Sequence, residues 1–467
     1  MHLIIDLFMN IRIQNLGSIK EACINLNKRL TVFCGPNNTG KTYVSYIIYA
    51  LTNNNMRPTH FLDDELVKTF VNEGRFDFDI DTQELFRFRE EQVSVIKGTL
   101  DSIFGISEEK AKSYFGDLEI SFTSSQEDFD EKLYNEEFQL NLFLNDLEIR
   151  VTKSPGQRMA TVENVSVHKT ITTDYVRYLS YQLVTMIYGC LAFYPISNSS
   201  IFPVERNSIY TFNKELSIKR NLLIDQMQEL SANKKLNPWD LLEKRSTRYP
   251  LAVRDCLEVA DDLVNLQNRK SPYFEFADEL ENELLKGKVF VSKDGEVQYS
   301  SVKAKSIKLP IHLSASIVKT LSSLTFYLRH LAKNNDLIII DEPELNLHPD
   351  SQIILTRIFA RLINKGFRLL ISTHSDYIIR ELNNLIMLSS ATDDIAEVAQ
   401  SLGYKDGEYI SCNDVSAYLF NQKGRGKITV KEIPVSDVGF EVETIDKAIK
   451  SLNNSSEELF YAIKYGK

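Results

Sequence analysis

Cysteine is scarce in this sequence, and the few cysteines that occur are widely scattered. They are Cys23, Cys34, Cys190, Cys256 and Cys412, an odd number that includes no CxxC pair. Such a distribution excludes the disulfide framework of a small secreted protein and argues against a zinc site. It is typical of a protein that works in the reducing cytoplasm.

The sequence also lacks any long hydrophobic run. No stretch approaches the ~18 uncharged apolar residues of a membrane-spanning helix, so we expect no insertion into a membrane. Residues 1–19 are briefly apolar, but Asp6 and Arg12 interrupt them and no small-residue cleavage site follows. They therefore predict a first strand rather than a signal peptide.

Positive charge is not in excess either. The 54 lysine and arginine residues are outnumbered by 64 aspartate and glutamate residues, which gives a net charge of −10. A strongly basic chain would indicate a nucleic-acid partner, and this composition leaves direct nucleic-acid binding an open question. The 467 residues, 43% of them hydrophobic, are typical of a globular protein with two or three domains of roughly 150 residues each.

What the sequence does contain is a complete phosphate-binding motif. The pattern G-x-x-x-x-G-K-[ST] is matched at every fixed position by Gly35, Pro36, Asn37, Asn38, Thr39, Gly40, Lys41 and Thr42. The β-rich run RLTVFCG precedes it, and TYVSYIIYALTN, whose apolar residues have helical spacing, follows it. Strand, glycine-rich loop and helix are the context that a nucleotide-binding loop requires. We therefore predict that this loop binds ATP.

Each part of the motif has a separate chemical task. The glycines let backbone N–H groups converge on phosphate oxygens, and the helix that follows adds the partial positive charge of its N-terminus. Lys41 is expected to neutralise charge on the β- and γ-phosphates, and the Thr42 hydroxyl to ligate Mg²⁺.

A second motif combines an apolar strand with acidic residues. The run Leu337–Ile340 is followed directly by Asp341 and Glu342, and a continuous apolar run suits a strand that is buried on both faces. Asp341 is expected to hold Mg²⁺, and Glu342 to polarise the attacking water, because phosphoryl transfer depends mainly on positioning and charge stabilisation.

A histidine follows a second apolar strand. His374 comes at the end of FRLLIST and is predicted to contact the γ-phosphate and sense its loss. His348 and Asp350 form an H-x-D pattern with no further metal ligand nearby. We interpret that pattern as the turn that starts the next helix.

The remaining sequence predicts strands and helices in alternation. FDFDI, LEISF, FQLNLFLNDLEIRV and TVENVSV are typical of strands, and EEQVSVIKGTLDSIFG is typical of a helix. NSSIFPVERN, residues 198–207, predicts a strand or a turn. Residues 11–34 predict two strands around a turn at Gly17. Residues 175–193 and most of 213–287 predict helices, and 288–304 a hairpin that turns at Asp294-Gly295. From residue 311 the order helix, strand, helix, strand, helix indicates a parallel α/β sheet.

Together, GPNNTGKT, DEPELNLHP and ISTHSDYIIRELNNLIML resemble the ABC-class AAA ATPases, a group that includes the SMC, RecF and OLD (overcoming lysogenization defect) proteins. The resemblance covers residues 10–52 and 305–390, with FPVER between them. It implies an α/β fold, an ABC-type nucleotide-binding head with a mostly parallel core sheet, plus a β-rich and helical insertion. The absence of a long heptad run excludes the coiled-coil arm of a full SMC protein.

This resemblance divides the chain into five predicted segments. They are the first part of the head at 1–54, a β-rich insertion with helices that belongs partly to the head at 55–210, a helical insertion and hairpin expected to serve oligomerisation or partner docking at 211–304, the second part of the head at 305–390, and a C-terminal α/β extension at 391–467.

The run HLSASIVKTLSSLTFYLRHL resembles the signature helix of the same group, which contacts the γ-phosphate in a partner subunit. The usual Leu-Ser-x-Gly is replaced by Leu313-Ser314-Ala315-Ser316, with serine in place of glycine. The resemblance makes Ser314 and Ser316 the expected contacts to the partner's ATP, with Lys319 a further candidate. An ordinary serine-rich helix N-terminus is the alternative.

A narrower resemblance, carried by the chain length, FPVER and THSDYIIRELNNL, is to the ATPase of the PARIS anti-phage defence system. It implies an ATP-driven sensor and scaffold, a homo-oligomer built on head-to-head dimers. Such a scaffold holds a separate effector, a Toprim-type nuclease, and releases it when a phage-encoded trigger protein is detected.

Two other functions stay open at this point. One is a DNA-repair or chromosome-organising ATPase, which would usually show a coiled coil or a basic face. The other is an OLD-type nuclease, which needs a Toprim domain after His374. Asp393, Asp394 and Asp437 occur there in segments without the strand-borne glutamate and DxD strand of that domain.

Overall fold

The computed structural model describes residues 9–53, 64–144, 147–165, 183, 186–216, 249–304, 306–390, 392–422 and 426–466. The strands are β1 (Asn10–Leu16), β2 (Ile19–Asn25), β3 (Leu30–Cys34), β4 (Arg75–Asp79), β5 (Glu119–Phe122), β6 (Phe138–Leu144), β7 (Leu147–Lys153), β8 (Met159–Asn164), β9 (Asn198–Phe202), β10 (Gly287–Val291), β11 (Val297–Ser301), β12 (Leu309–Pro310), β13 (Asp336–Asp341), β14 (Arg368–Thr373), β15 (Val415–Gln422) and β16 (Ile428–Ile433). The α-helices are α1 (Lys41–Thr52), α2 (Asp64–Glu73), α3 (Thr82–Gly98), α4 (Leu100–Phe104), α5 (Glu108–Phe115), α6 (Gln126–Asn135), α7 (Arg206–Leu216), α8 (Leu251–Leu266), α9 (Phe274–Leu280), α10 (Ser316–His330), α11 (Pro349–Asn364), α12 (Asp376–Met387), α13 (Asp393–Ser401) and α14 (Glu443–Tyr465).

One large sheet organises the described part of the chain. Its nine strands lie in the order β5-β1-β2-β16-β15-β3-β14-β13-β9. The five strands from β15 to β9 are mutually parallel, and antiparallel pairs occur towards the β5 edge. The fold class, α/β with a mostly parallel core sheet, is therefore confirmed.

The central strands carry apolar runs on both faces because both faces of the sheet are covered. Along β13, Leu337 and Ile339 belong to one hydrophobic core, and Ile338 and Ile340 belong to the other. Helix α1 packs on the first face, and α10, α11 and α12 contribute to the core on the second. This alternation follows from the two-residue repeat of a strand.

A separate antiparallel sheet of order β4-β8-β7-β6 lies within the segment predicted as an insertion. It confirms the predicted strands at FDFDI, FQLNLFLNDLEIRV and TVENVSV within the described residues. LEISF is also a strand, but β5 pairs antiparallel with β1 and so belongs to the main sheet. The predicted helix at EEQVSVIKGTLDSIFG is present as α3 and α4, which meet at Thr99.

The prediction of two strands between residues 11 and 34 was wrong, since three are present. Gly17, with a φ of +58°, turns the chain from β1 into β2, and RLTVFC forms a third strand, β3. Only residues 9 onward of the apolar N-terminal segment are described, and β1 starts at Asn10.

The main sheet crosses the predicted boundary at residue 390. Strands β15 and β16 come from the C-terminal segment, yet they lie inside the sheet between β2 and β3. Helix α14 follows them, and from residue 450 to 466 every residue on it is exposed.

The remaining predicted elements agree with the structure where it describes them. Residues 186–192 are helical, whereas most of the predicted helix before them lies outside the described residues, as do residues 217–248. Strands β10 and β11 form the expected hairpin, with Gly295 in its turn at a φ of +77°. Within the described part of the chain, no helix has both the length and the apolar composition needed to cross a membrane.

Candidate functional site

The three predicted ATP motifs meet at one edge of the main sheet. Strands β3, β13 and β14 are parallel neighbours, so their carboxyl ends lie side by side. The loop after β3, Asp341 and Glu342 after β13, and His374 after β14 are thereby brought together. Ligands of open α/β sheets bind at this edge.

Two glycines allow the phosphate loop to fold against the rest of the head. Gly35 has a φ of +131°, and a Cβ there would lie 2.2 Å from the carbonyl oxygen of Phe420 on β15. Gly40 has a φ of +80°, and its Cβ would lie 2.7 Å from Cδ1 of Ile19. At Gly35 any side chain would clash with the backbone of Phe420, so this close approach requires glycine. At Gly40 the left-handed φ favours glycine, because the end of the Ile19 side chain could move aside.

The ammonium group of Lys41 lies inside the loop. The residue is only 7% exposed, and its Nζ donates hydrogen bonds of 2.8 Å to the carbonyl oxygens of Gly35 and Pro36. Burial lowers the pKa of Lys41, while the nearby carboxylates of Asp341 and Glu342 oppose this shift. The loop thus holds a cation at the N-terminus of α1, where anions are favoured.

Thr42 and Asp341 are in direct contact, although about 300 residues separate them in sequence. The Thr42 hydroxyl donates a 2.7 Å hydrogen bond to Oδ2 of Asp341, and the Ser372 hydroxyl donates to Oδ1. The donor set fits Mg²⁺, which is usually held by one or two carboxylates together with substrate phosphates. Among the described residues, no group of three or more His, Cys, Asp and Glu side chains could hold a metal without such a substrate.

Glu342 has an unusual backbone conformation. Its φ of +49° lies in the left-handed region, which non-glycine residues rarely adopt. Its backbone N–H donates to the carbonyl oxygen of Ser372 at 3.0 Å. Burial raises the pKa of Glu342; the nearby His374 lowers it, and the carboxylate of Asp341 raises it further.

His374 lies next to two carboxylates. Its Nδ1 is 3.9 Å from Oε1 of Glu342 and 3.6 Å from Oε1 of Glu344. Glu344 is buried and also accepts hydrogen bonds from the Thr373 hydroxyl, at 2.8 Å, and from the His374 N–H, at 2.9 Å. Glu344 therefore fixes the backbone that carries His374, a role that its position after a strand did not indicate.

The phosphate loop and the acidic turn line a cleft of about 470 Å³, whose lining does not include His374. This size is suited to a small-molecule ligand. The lining consists of Ser18, Asn37, Asn38, Thr39, Gly40, Lys41, Thr42, Tyr43, Asp341 and Glu342. Every one of these residues except Ser18 and Tyr43 belongs to a motif singled out from the sequence. Tyr43 is half-exposed and packs edge-on against Phe104 and Phe115.

The residues of the signature-like segment do not join this cleft within one chain. The Ser314 hydroxyl donates to the carbonyl oxygen of Ile311 at 2.6 Å, and Ser316 is the first residue of α10. Lys319 donates through Nζ to the carbonyl oxygen of His312 at 2.9 Å. None of these three residues is part of the described cleft lining.

His348 forms the turn that the sequence predicted. It is the N-cap of α11, its Nδ1 accepts a hydrogen bond from the N–H of Asp350, and Pro349 occupies the first helical position. The H-x-D pattern is thus explained by helix capping.

Comparison with known proteins agrees with the motifs. The family model described as AAA ATPase domain matches residues 9–379. No curated protein matches the sequence.

Several solved structures are similar to the chain at low sequence identity. An SMC head bound to the C-winged helix domain of ScpA is 12% identical, with a TM-score of 0.32 and coverage of 91% of this chain and 97% of that one. An SMC head domain with an extended coiled coil, bound to the C-terminal domain of ScpA and derived from Pyrococcus furiosus, is 13% identical with a TM-score of 0.32. The match covers 96% of this chain and 98% of that one. The SMC head domain from Thermotoga maritima is 11% identical with a TM-score of 0.29, and the match covers 91% of this chain and 98% of that one.

Proposed function

Because the chain belongs to the AAA ATPase domain family, we propose that it binds ATP with Mg²⁺ in the cleft and hydrolyses it to ADP and phosphate. The observation that carries this proposal is the 2.7 Å hydrogen bond between Thr42 and Asp341. It places the last residue of the phosphate loop against the acid that ends β13, with Glu342 adjacent in the same cleft.

Each side chain has a task that follows from its position. Lys41 exchanges its bonds to loop carbonyl oxygens for bonds to the β- and γ-phosphates, as expected for the lysine of this motif. Thr42 and Asp341 would hold Mg²⁺, which when bound neutralises phosphate charge. Glu342 orients the attacking water and accepts its proton, since its carboxylate reaches the cleft without taking part in the Thr42 contact. His374, which lies 3.9 Å from Glu342, would contact the γ-phosphate.

The site is proposed to be completed by a second copy of the chain. The signature-like residues Ser314 and Ser316 do not line the cleft of their own chain, although Leu313 beside them is 64% exposed. In a head-to-head dimer these serines would face the γ-phosphate bound to the partner, and Lys319 would stand one turn further along α10.

A mixing experiment is expected to reveal such composite sites. Lys41→Ala chains bind ATP too weakly to fill their own site under the assay conditions, and Ser316→Arg chains cannot complete a partner's site. A dimer of one chain of each kind keeps one intact site, so mixing two inactive variants is expected to restore part of the wild-type turnover. The measurement is phosphate release as a function of mixing ratio, together with the dependence of wild-type specific activity on protein concentration.

The control is a mixture of Lys41→Ala chains with Lys41→Ala, Ser316→Arg chains, in which no arrangement yields an intact site. A self-contained site would give no rescue in the first mixture and a wild-type specific activity that does not change on dilution.

We further propose that ATP turnover in this chain controls a separate protein effector in bacterial anti-phage defence. The resemblance of FPVER and THSDYIIRELNNL to the PARIS ATPase supports a Toprim-type nuclease as effector and a phage-encoded protein as trigger. Exposed apolar side chains on α14 support a protein partner: Leu452 is 68% exposed, Leu459 65% and Ile463 86%. Exposed apolar patches of this kind mark interaction surfaces.

This second proposal predicts that the chain alone is not toxic. Cells that express it alone are expected to grow normally, whereas cells that also express the effector and the trigger are expected to stop growing. The measurement is growth after induction of each combination. Purified chain that degrades DNA or RNA with Mg²⁺, with an activity that survives Glu342→Gln, would contradict the proposal.

A further inference from the structure

Arg206 is a buried arginine that ends the FPVER segment. The side chain is 2% exposed and sits at the start of α7, directly after β9. Burial lowers the pKa of Arg206 to about 10, and the carboxylates of Asp341, Glu344 and Glu342 oppose this shift. Burying a cation is unfavourable unless its N–H groups find acceptors, so the partners of Arg206 show what it does.

The partners of the guanidinium are backbone carbonyl oxygens of the acidic turn. Nη1 donates to the carbonyl oxygen of Asp341 at 2.6 Å, and Nη2 donates to that of Glu342 at 2.5 Å. Nη1 also donates to the carbonyl oxygen of Pro203 at 2.9 Å. One planar group therefore spans two successive peptide units, a fork that a lysine ammonium cannot reproduce.

The two peptide units that this guanidinium binds flank a residue with an unfavourable backbone conformation. Glu342 adopts a φ of +49°, and strained conformations of this kind persist only where the surroundings fix them. The Glu342 N–H is held by Ser372 on one side, and its carbonyl oxygen is held by Arg206 on the other. That carbonyl oxygen also accepts a 3.1 Å hydrogen bond from the N–H of Leu345, so loss of Arg206 removes one of its two hydrogen bonds and leaves the turn, and with it the Glu342 carboxylate, less firmly held.

The arginine is itself fixed by packing. Further along α7, the ring of Tyr210 meets that of Phe326 on α10 edge to face, with ring centroids 5.5 Å apart. Strand β9, which precedes Arg206, is paired with β13, the strand that carries Asp341. The guanidinium is therefore anchored to the same rigid framework as the turn that it holds.

We propose that Arg206 is a positioning residue for ATP hydrolysis, whose guanidinium holds the Asp341–Glu342 backbone so that the Glu342 carboxylate faces the cleft. The inference rests on the proposed ATPase function of this site. Arg206 does not line the cleft, so it acts on the reaction through Glu342 and not by touching ATP.

The test compares Arg206→Lys with Arg368→Lys in the full-length chain. Arg368 is a matched control because its Nη1 also donates to backbone carbonyl oxygens, those of Leu26, Asn27 and Lys28. It is the first residue of β14, at the end of the parallel strands opposite the acidic turn. For each variant, kcat, KM, the Kd for ATP and the thermal unfolding midpoint are measured. A misplaced catalytic group costs on the order of 100-fold in rate.

Arg206→Lys is expected to lower kcat roughly 10- to 100-fold while the Kd for ATP changes less than about threefold, and Arg368→Lys is expected to keep the wild-type kcat. Added guanidinium ion is expected to restore part of the kcat of Arg206→Ala and none of that of Glu342→Gln. If guanidinium rescues Arg206→Ala but not Glu342→Gln, the first variant has lost the positioning of the carboxylate and the second has lost the reacting carboxylate itself.

Three outcomes would overturn the inference. The first is a wild-type kcat in Arg206→Lys although Glu342→Gln is inactive. The second is equal loss of kcat, ATP binding and unfolding midpoint in Arg206→Lys, which would make the role of Arg206 structural. The third is absence of ATP turnover in the wild-type chain, which would contradict both the proposed function and this inference. The assay of the wild-type chain distinguishes this outcome from the first.

Discussion

Lys41→Ala is expected to weaken ATP binding by roughly one to two orders of magnitude. A hydrogen bond to a charged group contributes about 1.5–3 kcal/mol, and about 1.4 kcal/mol corresponds to a tenfold change in affinity. Lys41 is the cation of the phosphate loop and lies at the floor of the cleft. The measurement is the Kd for ATP, obtained by calorimetric titration of the purified variant with ATP.

The control for this variant is Lys153→Ala. Lys153 is also buried, and its Nζ also donates to two backbone carbonyl oxygens, those of Tyr134 and Ser154, at 3.1 Å each. It lies on β7 in the insertion sheet, so its loss is expected to change stability and to leave the Kd for ATP unchanged. If Lys41→Ala bound ATP as tightly as this control, Lys41 would not be the phosphate lysine.

Glu342→Gln is expected to have the opposite effect, loss of turnover with retention of binding. General base catalysis contributes roughly 10²- to 10⁴-fold, and kcat is expected to fall by about that factor. Glutamine preserves the size of the side chain and leaves the hydrogen bond between Thr42 and Asp341 unchanged. The variant is therefore expected to accumulate as an ATP-bound dimer, detectable as a shift in mass by light scattering when ATP and Mg²⁺ are added.

A suitable control is Glu408→Gln. Glu408 is a glutamate with polar partners, the N–H of Lys405 at 2.9 Å and the guanidinium of Arg361 at 3.6 Å. It is buried, whereas Glu342 is half-buried, and it is not part of the cleft. It is expected to hydrolyse ATP at the wild-type rate. A Glu342→Gln chain that matched this rate would place the catalytic base elsewhere.

The sequence was sufficient for the elements whose signals are local. Within β13 the run Leu337–Ile340 is apolar at every position up to Asp341, which predicted a strand buried on both faces. The glycine-rich loop lies between a strand and a helix, as the motif predicted. Likewise Gly295 turns the hairpin of β10 and β11. In each case the residues that determine the structure are neighbours in the chain.

Pairings between distant segments could not be predicted in the same way. Strand β15 lies directly beside β3, and its Phe420 backs the phosphate loop at Gly35, although nearly 400 residues separate the two. The alternating apolar pattern of LEISF likewise fits either sheet, and only the structure places it beside β1. A strand's sequence specifies which face is buried but not which neighbour it pairs with.

The site shows the same division between local and distant information. Lys41, Asp341 and Glu342 were identified from local motifs, and the structure brings them to one cleft. The supporting residues lie in runs that carry the family resemblance, but no local pattern indicated their roles. Ser372 and Arg206 hold the backbone and side chains of the acidic turn, and Glu344 holds the backbone of His374. Contacts of this kind depend on parallel packing of strands that are far apart in sequence.

Phosphate release from ATP by the purified wild-type chain tests the central claim most directly. The assay is run with Mg²⁺ over a range of protein concentrations, with a parallel sample in EDTA and with Glu342→Gln as the inactive reference. The expected result is release that requires Mg²⁺, that rises more steeply than protein concentration, and that Glu342→Gln abolishes. Release that persists in EDTA or in Glu342→Gln, or no release by wild-type chain at concentrations where it binds ATP as a dimer, would contradict the assignment of this cleft as an ATPase site.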